Sequence, residues 1–175
     1  MKKLFSRIEE LYPEMVELRR YFHQHPELSF QEVHTPQKIA QFLTELGIEV
    51  KTGVGGRGVV GHIRGGKPGK TVALRADFDA LPIQDEKDVP YKSTVDGVMH
   101  ACGHDGHVTV GLAVAKLLAE HTDELVGKVK LIFQPAEEGV RGAYAMINAG
   151  VADDIDYFFG GHIAFKATTD DSLVC

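Results

Sequence analysis

The nine residues Met99-His100-Ala101-Cys102-Gly103-His104-Asp105-Gly106-His107 combine histidines, a cysteine and an aspartate with two glycines. Thiolate and imidazole donors suit borderline divalent cations. Gly103 and Gly106 permit the backbone angles needed to turn such donors toward one point. Three further clusters offer compatible chemistry: Asp77 and Asp79, the adjacent pair Glu137-Glu138, and His162 behind Gly160-Gly161. Cys102, His104 and His162 are the candidate nitrogen and sulfur ligands, and Glu137 or Glu138 would add a hard oxygen. The other glutamate would then accept a proton from water made acidic by the metal, and the expected chemistry is attack of hydroxide on a carbonyl.

Taken singly, each signal has a plainer reading. His23, His25, His34 and His121 read as surface or hydrogen-bonded residues, and His62 as a strand residue. His100 and His107 could stand behind a ligand rather than act as one. Asp77 and Asp79 could be turn formers ahead of Pro82. "GVGGRGVVG" is not a phosphate loop, because it falls between strands with no helix behind it. A cysteine nucleophile is disfavoured, because histidines two residues away on a glycine loop are poorly placed as its base. A structural zinc knot would need more internal cysteines than Cys102 alone.

The elements that must position these groups follow from periodicity. Leu4, Phe5, Ile8, Leu11, Met15, Leu18 and Phe22 have helical spacing over residues 4–24, with Pro13 expected to bend or break the helix near its start. "HPELSFQEVHTP" reads as a polar connection. A second helix follows, with Thr35 as N-cap, Pro36 as its first residue and Gly47 as its stop. "IEVKTGV" and "GVVGHIRG" form a hairpin. A buried strand through Val72–Leu74 ends near Asp77. A helix over "GHVTVGLAVAKLLAEH", a strand stopped by Pro135, a short helix ended by Gly150 and a strand in "IDYFFGGHIAF" complete the series. This order predicts an α/β three-layer sandwich with a mostly parallel central sheet and some antiparallel edge. Open sheets of this kind place their sites at the carboxyl ends of strands, where three of the clusters fall, and the 99–107 stretch opens the helix after the first of them.

At 175 residues the chain suits one domain with a real core. A formal charge of −6, without a basic run, gives no broad attraction to nucleic acid or anionic lipid. No segment is apolar for long enough to span a bilayer, and the first residues lack a signal-peptide core. These features predict a cytoplasmic protein, where a disulfide between Cys102 and Cys175 is not expected.

"LRADFDALPIQDE", "HACGHDGH", "FQPAEEG" and "GGH", in that order, resemble the amidohydrolase branch of the aminoacylase and carboxypeptidase group of two-metal metallopeptidases. That branch includes hippurate hydrolases, N-acyl-amino-acid amidohydrolases and auxin-conjugate hydrolases. "LRRYFHQHPELSFQE" is similar to the start of that family, so the resemblance runs from about Leu18 to His162. It implies a zinc-exopeptidase-like fold and two divalent metal ions, zinc or manganese. Cys102 resembles the ligand bridging both metals, His104 and His162 resemble ligands to one of them, and Glu138 resembles a ligand to the other. Glu137 resembles the general base and acid, and Asp79 the carboxylate behind the metal site. Other branches carry histidine at the position of Asp77, and His104 would supply that imidazole from the neighbouring loop. The implied reaction is hydrolysis of the amide bond of a small N-acyl amino acid.

The resemblance also implies what is missing. Family members continue into a lid and dimerisation domain, then return with one more histidine ligand. Residues 1–175 therefore correspond to the N-terminal portion of the catalytic domain, an incomplete version of the fold. A homodimer would belong to the complete enzyme. Two expectations follow: a metal-dependent amidohydrolase for the complete protein, or an inactive truncated fragment that folds and at most binds metal weakly.

Overall fold

The computed structural model describes residues 2–139 and 141–164. Cys175 and the stretch "TTDDSLVC" lie outside them.

Helix α1 spans Lys2–Gln24 without interruption, so the break expected at Pro13 does not occur. Pro13 lies on the exposed side, where the backbone bond it cannot make is replaced by solvent. The apolar stripe is used only in part. Leu11, Met15, Leu18 and Phe22 are buried, whereas Leu4, Phe5 and Ile8 are exposed.

Helix α2 spans His34–Glu45 and its cap is Val33, not Thr35. The reason is electrostatic. The carboxylate of Glu27 accepts hydrogen bonds from the amides of Val33, His34 and Thr35 at 2.9, 3.0 and 2.8 Å. One carboxylate thus satisfies three of the amides that a helix start leaves unpaired, and places negative charge at the positive end of the dipole. Gly47, with φ 75°, closes this helix as expected.

Strands β1 (Glu49–Val54) and β2 (Gly58–Arg64) form the expected hairpin, and "GVGGRGVVG" is its turn region. Strand β3 (Lys67–Asp77), helix α3 (His104–Ala119), strand β4 (Val126–Gln134), helix α4 (Gly142–Asn148) and strand β5 (Tyr157–Gly160) follow. A short 3-10 turn at Thr122–Glu124 precedes β4. The strands form one sheet in the order β1-β2-β4-β3-β5. β3 is parallel to both β4 and β5, while β2 is antiparallel to both β1 and β4. The antiparallel share is therefore larger than an edge strand alone would give, because β2 pairs directly with β4.

The sheet separates two apolar clusters. On one face, Leu11, Phe22, Ile39, Leu43, Val108 and Leu112 from α1, α2 and α3 pack on Val59, Leu131 and Phe133. On the other, Met146 and Val151 cover Val54, Val60, Ala73 and Ile132. The three-layer α/β sandwich is borne out. Small residues bring α3 close to the sheet: an added Cβ at Gly111 would lie 3.0 Å from the Phe133 ring. The parallel set β4-β3-β5 places the ends of its strands side by side, Asp77 opposite Gln134 and Arg75 opposite Gly160. No helix of the described residues is long and apolar enough to cross a membrane.

Candidate metal centre

The loops leaving β3, β4 and β5 meet the start of α3. That helix begins at His104, two residues earlier than the spacing of its apolar residues suggests, behind Gly103 in the left-handed region at φ 84°. His104 and Asp105 consequently lie in its first turn rather than on a preceding loop, with His107 beside them.

The structure brings the predicted ligands together. Potential ligand atoms of Cys102, His104 and His162 lie within 4.8 Å of one another, as do those of His104, Glu137 and Glu138. Cys102 Sγ is 3.3 Å from His162 Nε2. His104 Nε2 lies 3.8 Å from Glu137 Oε2 and 3.9 Å from Glu138 Oε1. Each of the neighbouring glutamates thus directs one oxygen toward the same imidazole. They differ in exposure, 36% for the Glu137 side chain and 22% for Glu138.

Asp79 organises this cluster from behind. His104 Nδ1 donates to the Asp79 backbone carbonyl at 2.9 Å and lies 3.2 Å from its Oδ1. A carbonyl can only accept, so Nδ1 carries a proton, and Nε2 is left to face the carboxylates. Asp79 Oδ2 accepts from Ser29 Oγ at 2.6 Å and from the Glu138 amide at 3.0 Å. Burial would raise the Asp79 pKa, but His104, Ser29 and the amides of Glu137 and Glu138 outweigh it and hold the carboxyl at about 2.

The charge around the cluster favours a cation. Burial tends to discharge His104, but Asp79, Asp77 and Glu138 outweigh it and raise its pKa. The Cys102 thiol is pushed up to about 12, first by burial and then by Glu138, Glu137 and Asp77. A thiolate there requires a compensating positive charge. His104 Nε2 and Glu138 Oε1 are buried and have no hydrogen-bond partner among the described residues. Unpaired buried polar atoms are costly. Facing one another beside a thiol and a second imidazole, they fit a bound divalent cation. The mixed sulfur, nitrogen and oxygen donors do not choose between zinc and manganese.

His23 is buried and bonded to Asp105 at 2.6 Å, and His62 sits on β2. His100 is buried, and neither of its nitrogens has a partner among the described residues. His107 donates to Asp77 at 2.6 Å. Asp77 is therefore no turn former. Its Oδ2 pairs with Arg75 at 2.7 Å, and lies 3.8 Å from His104 Nε2.

Sequence reasoning missed Ser29, Arg75 and Glu32. Glu32 is fully buried, and its Oε1 accepts the Ala136 amide at 3.0 Å, immediately before the Glu137-Glu138 pair. Burial outweighs the amide bonds it accepts and raises its pKa to about 7. The "PELSFQE" segment is thus more than a polar connection. A carboxyl whose folded pKa is raised stabilises the fold below its unfolded value of 4.5, and that contribution is lost as pH rises through about 7. Glu32→Gln keeps the acceptor without the charge. It should leave stability near the parent's at pH 5 and raise it by roughly 1–3 kcal/mol at pH 8.5, as read by urea denaturation at both pH values.

A profile of the peptidase family M20/M25/M40 matches residues 73–173. The chain is 52% identical over 167 residues to thermostable carboxypeptidase 2 of Saccharolobus solfataricus, covering 94% of this chain and 42% of that protein. It is 47% identical over 161 residues to the hippurate hydrolase of Campylobacter jejuni, covering 91% and 42%. Among solved structures, the Bacillus subtilis YXEP protein, described as a dinuclear metal-binding peptidase, superposes with a TM-score of 0.86 at 43% identity, covering 90% and 45%. The α/β sandwich with donors gathered at its strand ends is that of a metallopeptidase-like domain. The chain belongs to the peptidase family M20/M25/M40, and it spans less than half the length of these relatives.

Proposed function

We propose that this chain carries the metal-binding portion of an amidohydrolase site acting on small N-acyl amino acids. The observation that carries the reading is the meeting of Cys102, His104, Glu138 and His162 at the ends of β3, β4 and β5, with His104 Nε2 and Glu138 Oε1 buried and without a hydrogen-bond partner among the described residues. The names of the related carboxypeptidase and hippurate hydrolase support an amide substrate. The dinuclear relative supports two divalent cations, zinc or manganese. In this reading residues 1–175 are the N-terminal portion of the catalytic domain.

Such cations, when bound, polarise a substrate carbonyl and lower the pKa of water. The chain's own groups do the rest. Asp79 fixes the ring of His104 with Nε2 toward the site, and its Oδ2 holds the Glu138 backbone. Glu137, the more exposed of the pair, takes a proton from the attacking water and delivers it to the departing amine nitrogen. The balance is amide plus water giving carboxylate and protonated amine.

A second reading concerns these residues alone: they fold and take up a cation without turnover. The exposure of Tyr157, Phe158 and Phe159 on β5, at 57%, 55% and 59%, favours it. An uncovered apolar edge strand invites self-association. An assay of the zinc- or manganese-loaded chain on hippurate decides. Metal-dependent turnover, reduced about 10²–10⁴-fold by Glu137→Gln with metal content unchanged, supports the first reading for this chain. Metal uptake without turnover, with association in solution, supports the second. Failure to take up either metal would remove both.

A further inference from the structure

We propose that His107, aligned by Asp77, is a positioning residue that seats His162 in the metal centre through the backbone of Ile163. The proposal rests on the metal-binding reading above and adds a residue outside the ligand set.

The hydrogen bonds fix the tautomer from two sides. Arg75 Nη1 lies 2.7 Å from Asp77 Oδ2, which keeps that buried carboxyl in its charged, accepting form. His107 Nδ1 is 2.6 Å from Asp77 Oδ1 and must donate to it. At the opposite edge of the ring, Nε2 accepts the Ile163 amide at 3.0 Å. An amide only donates, so Nε2 carries a lone pair. His107 is thus a neutral ring polarised along the line Arg75–Asp77–His107–Ile163.

That line ends one residue from His162. His162 is exposed, and among the described residues its side chain has polar contacts with Cys102 Sγ at 3.3 Å and the Ile163 carbonyl at 2.5 Å. Two further contacts tie its segment to α3. The His107 ring packs edge-on against His162 at 4.7 Å, while stacking on His104 at 5.4 Å. The side chain of Ile163 covers Gly103, where an added Cβ would come within 2.0 Å of Ile163 Cδ1. His107 therefore touches both imidazoles of the Cys102–His104–His162 cluster. It also holds the only backbone donor that anchors the residue after His162, among the described residues.

The test is anaerobic titration of the chain with Co²⁺, read by ligand-field and thiolate charge-transfer absorption and by calorimetry. Ile163→Pro removes the backbone donor on an exposed segment and leaves the core untouched. His107→Asn keeps a donor for Asp77 but falls short of Ile163, whereas His107→Gln extends an acceptor to the place of Nε2. Ile163→Pro and His107→Asn should weaken binding about 10–100-fold, the range typical of groups behind a ligand. Both should shift the spectrum toward that of His162→Ala, and His107→Gln should restore binding to within about threefold of the parent. A general loss of structure would not produce this pattern. Parent-like affinity and spectra in both Ile163→Pro and His107→Asn would overturn the proposal alone, as would a His107→Gln as weak as His107→Asn. Absence of cobalt uptake by the parent chain would overturn the metal-binding reading and this proposal with it.

Discussion

His104→Ala should lose more than about a hundredfold in affinity for zinc or manganese, beyond the range typical of groups that only support a ligand. His104 belongs to every cluster of potential ligands found among the described residues: with Cys102 and His162, with Glu137 and Glu138, and with Asp77 and His107. Its Nε2 is buried and has no hydrogen-bond partner among the described residues, and its Nδ1 is locked onto Asp79. No neighbouring side chain can take that place, because the ring is fully buried at the first turn of α3. The metal-free protein offers a second readout. The folded pKa of His104 is raised, so its proton-linked stabilisation is complete below 6.5 and is lost as pH rises through the folded value. Metal-free His104→Ala should therefore lose more stability relative to the parent at pH 5.5 than at pH 9. Equilibrium dialysis and urea denaturation measure the two effects separately.

The second large effect concerns a residue with no functional group. Gly142 opens α4, and its amide donates to the Ala136 carbonyl at 3.0 Å. An added Cβ would lie 1.8 Å from the Pro135 carbonyl oxygen, 2.7 Å from its carbon and 3.0 Å from the Ala136 oxygen. These are backbone atoms, and they cannot swing aside as the end of a side chain can. Gly142→Ala must displace either α4 or the Pro135–Ala136 turn that leads into Glu137 and Glu138. Overpacking against a fixed backbone costs about 2–4 kcal/mol. The displaced turn should also weaken cation uptake. Gly161→Ala is the control, since its Cβ would meet nothing within 4 Å. Denaturation midpoints and calorimetric titration of the two variants should differ clearly.

Much of the site was legible because its residue types are rarely clustered without cause. Cysteine, histidine and paired carboxylates at successive strand ends identify a convergence point even when each is ambiguous alone. The apolar spacing located α1, α2 and α3, and the hairpin was visible in its glycines. What stayed hidden depends on partners distant in sequence. Ser29 reaches Asp79 across 50 residues and Glu32 reaches Ala136 across 104. Local propensity carries no record of either bond. The same reason explains Thr35: capping preference favours it, but the Glu27 carboxylate occupies the helix end first. The pairing of β2 with β4 was equally unreadable, because both strands are apolar and neither declares its neighbour. The turn just before Glu137 and Glu138 was hidden as well, because Ala136 adopts φ 51° with no glycine to mark it.

Diffraction from the zinc-loaded chain, with anomalous differences collected at the metal's absorption edge, addresses the central claim most directly. Density should appear among Cys102 Sγ, His104 Nε2, a Glu138 oxygen and His162, at the ends of β3, β4 and β5. A peak bound elsewhere, or full zinc uptake with those four side chains left unliganded, would contradict it.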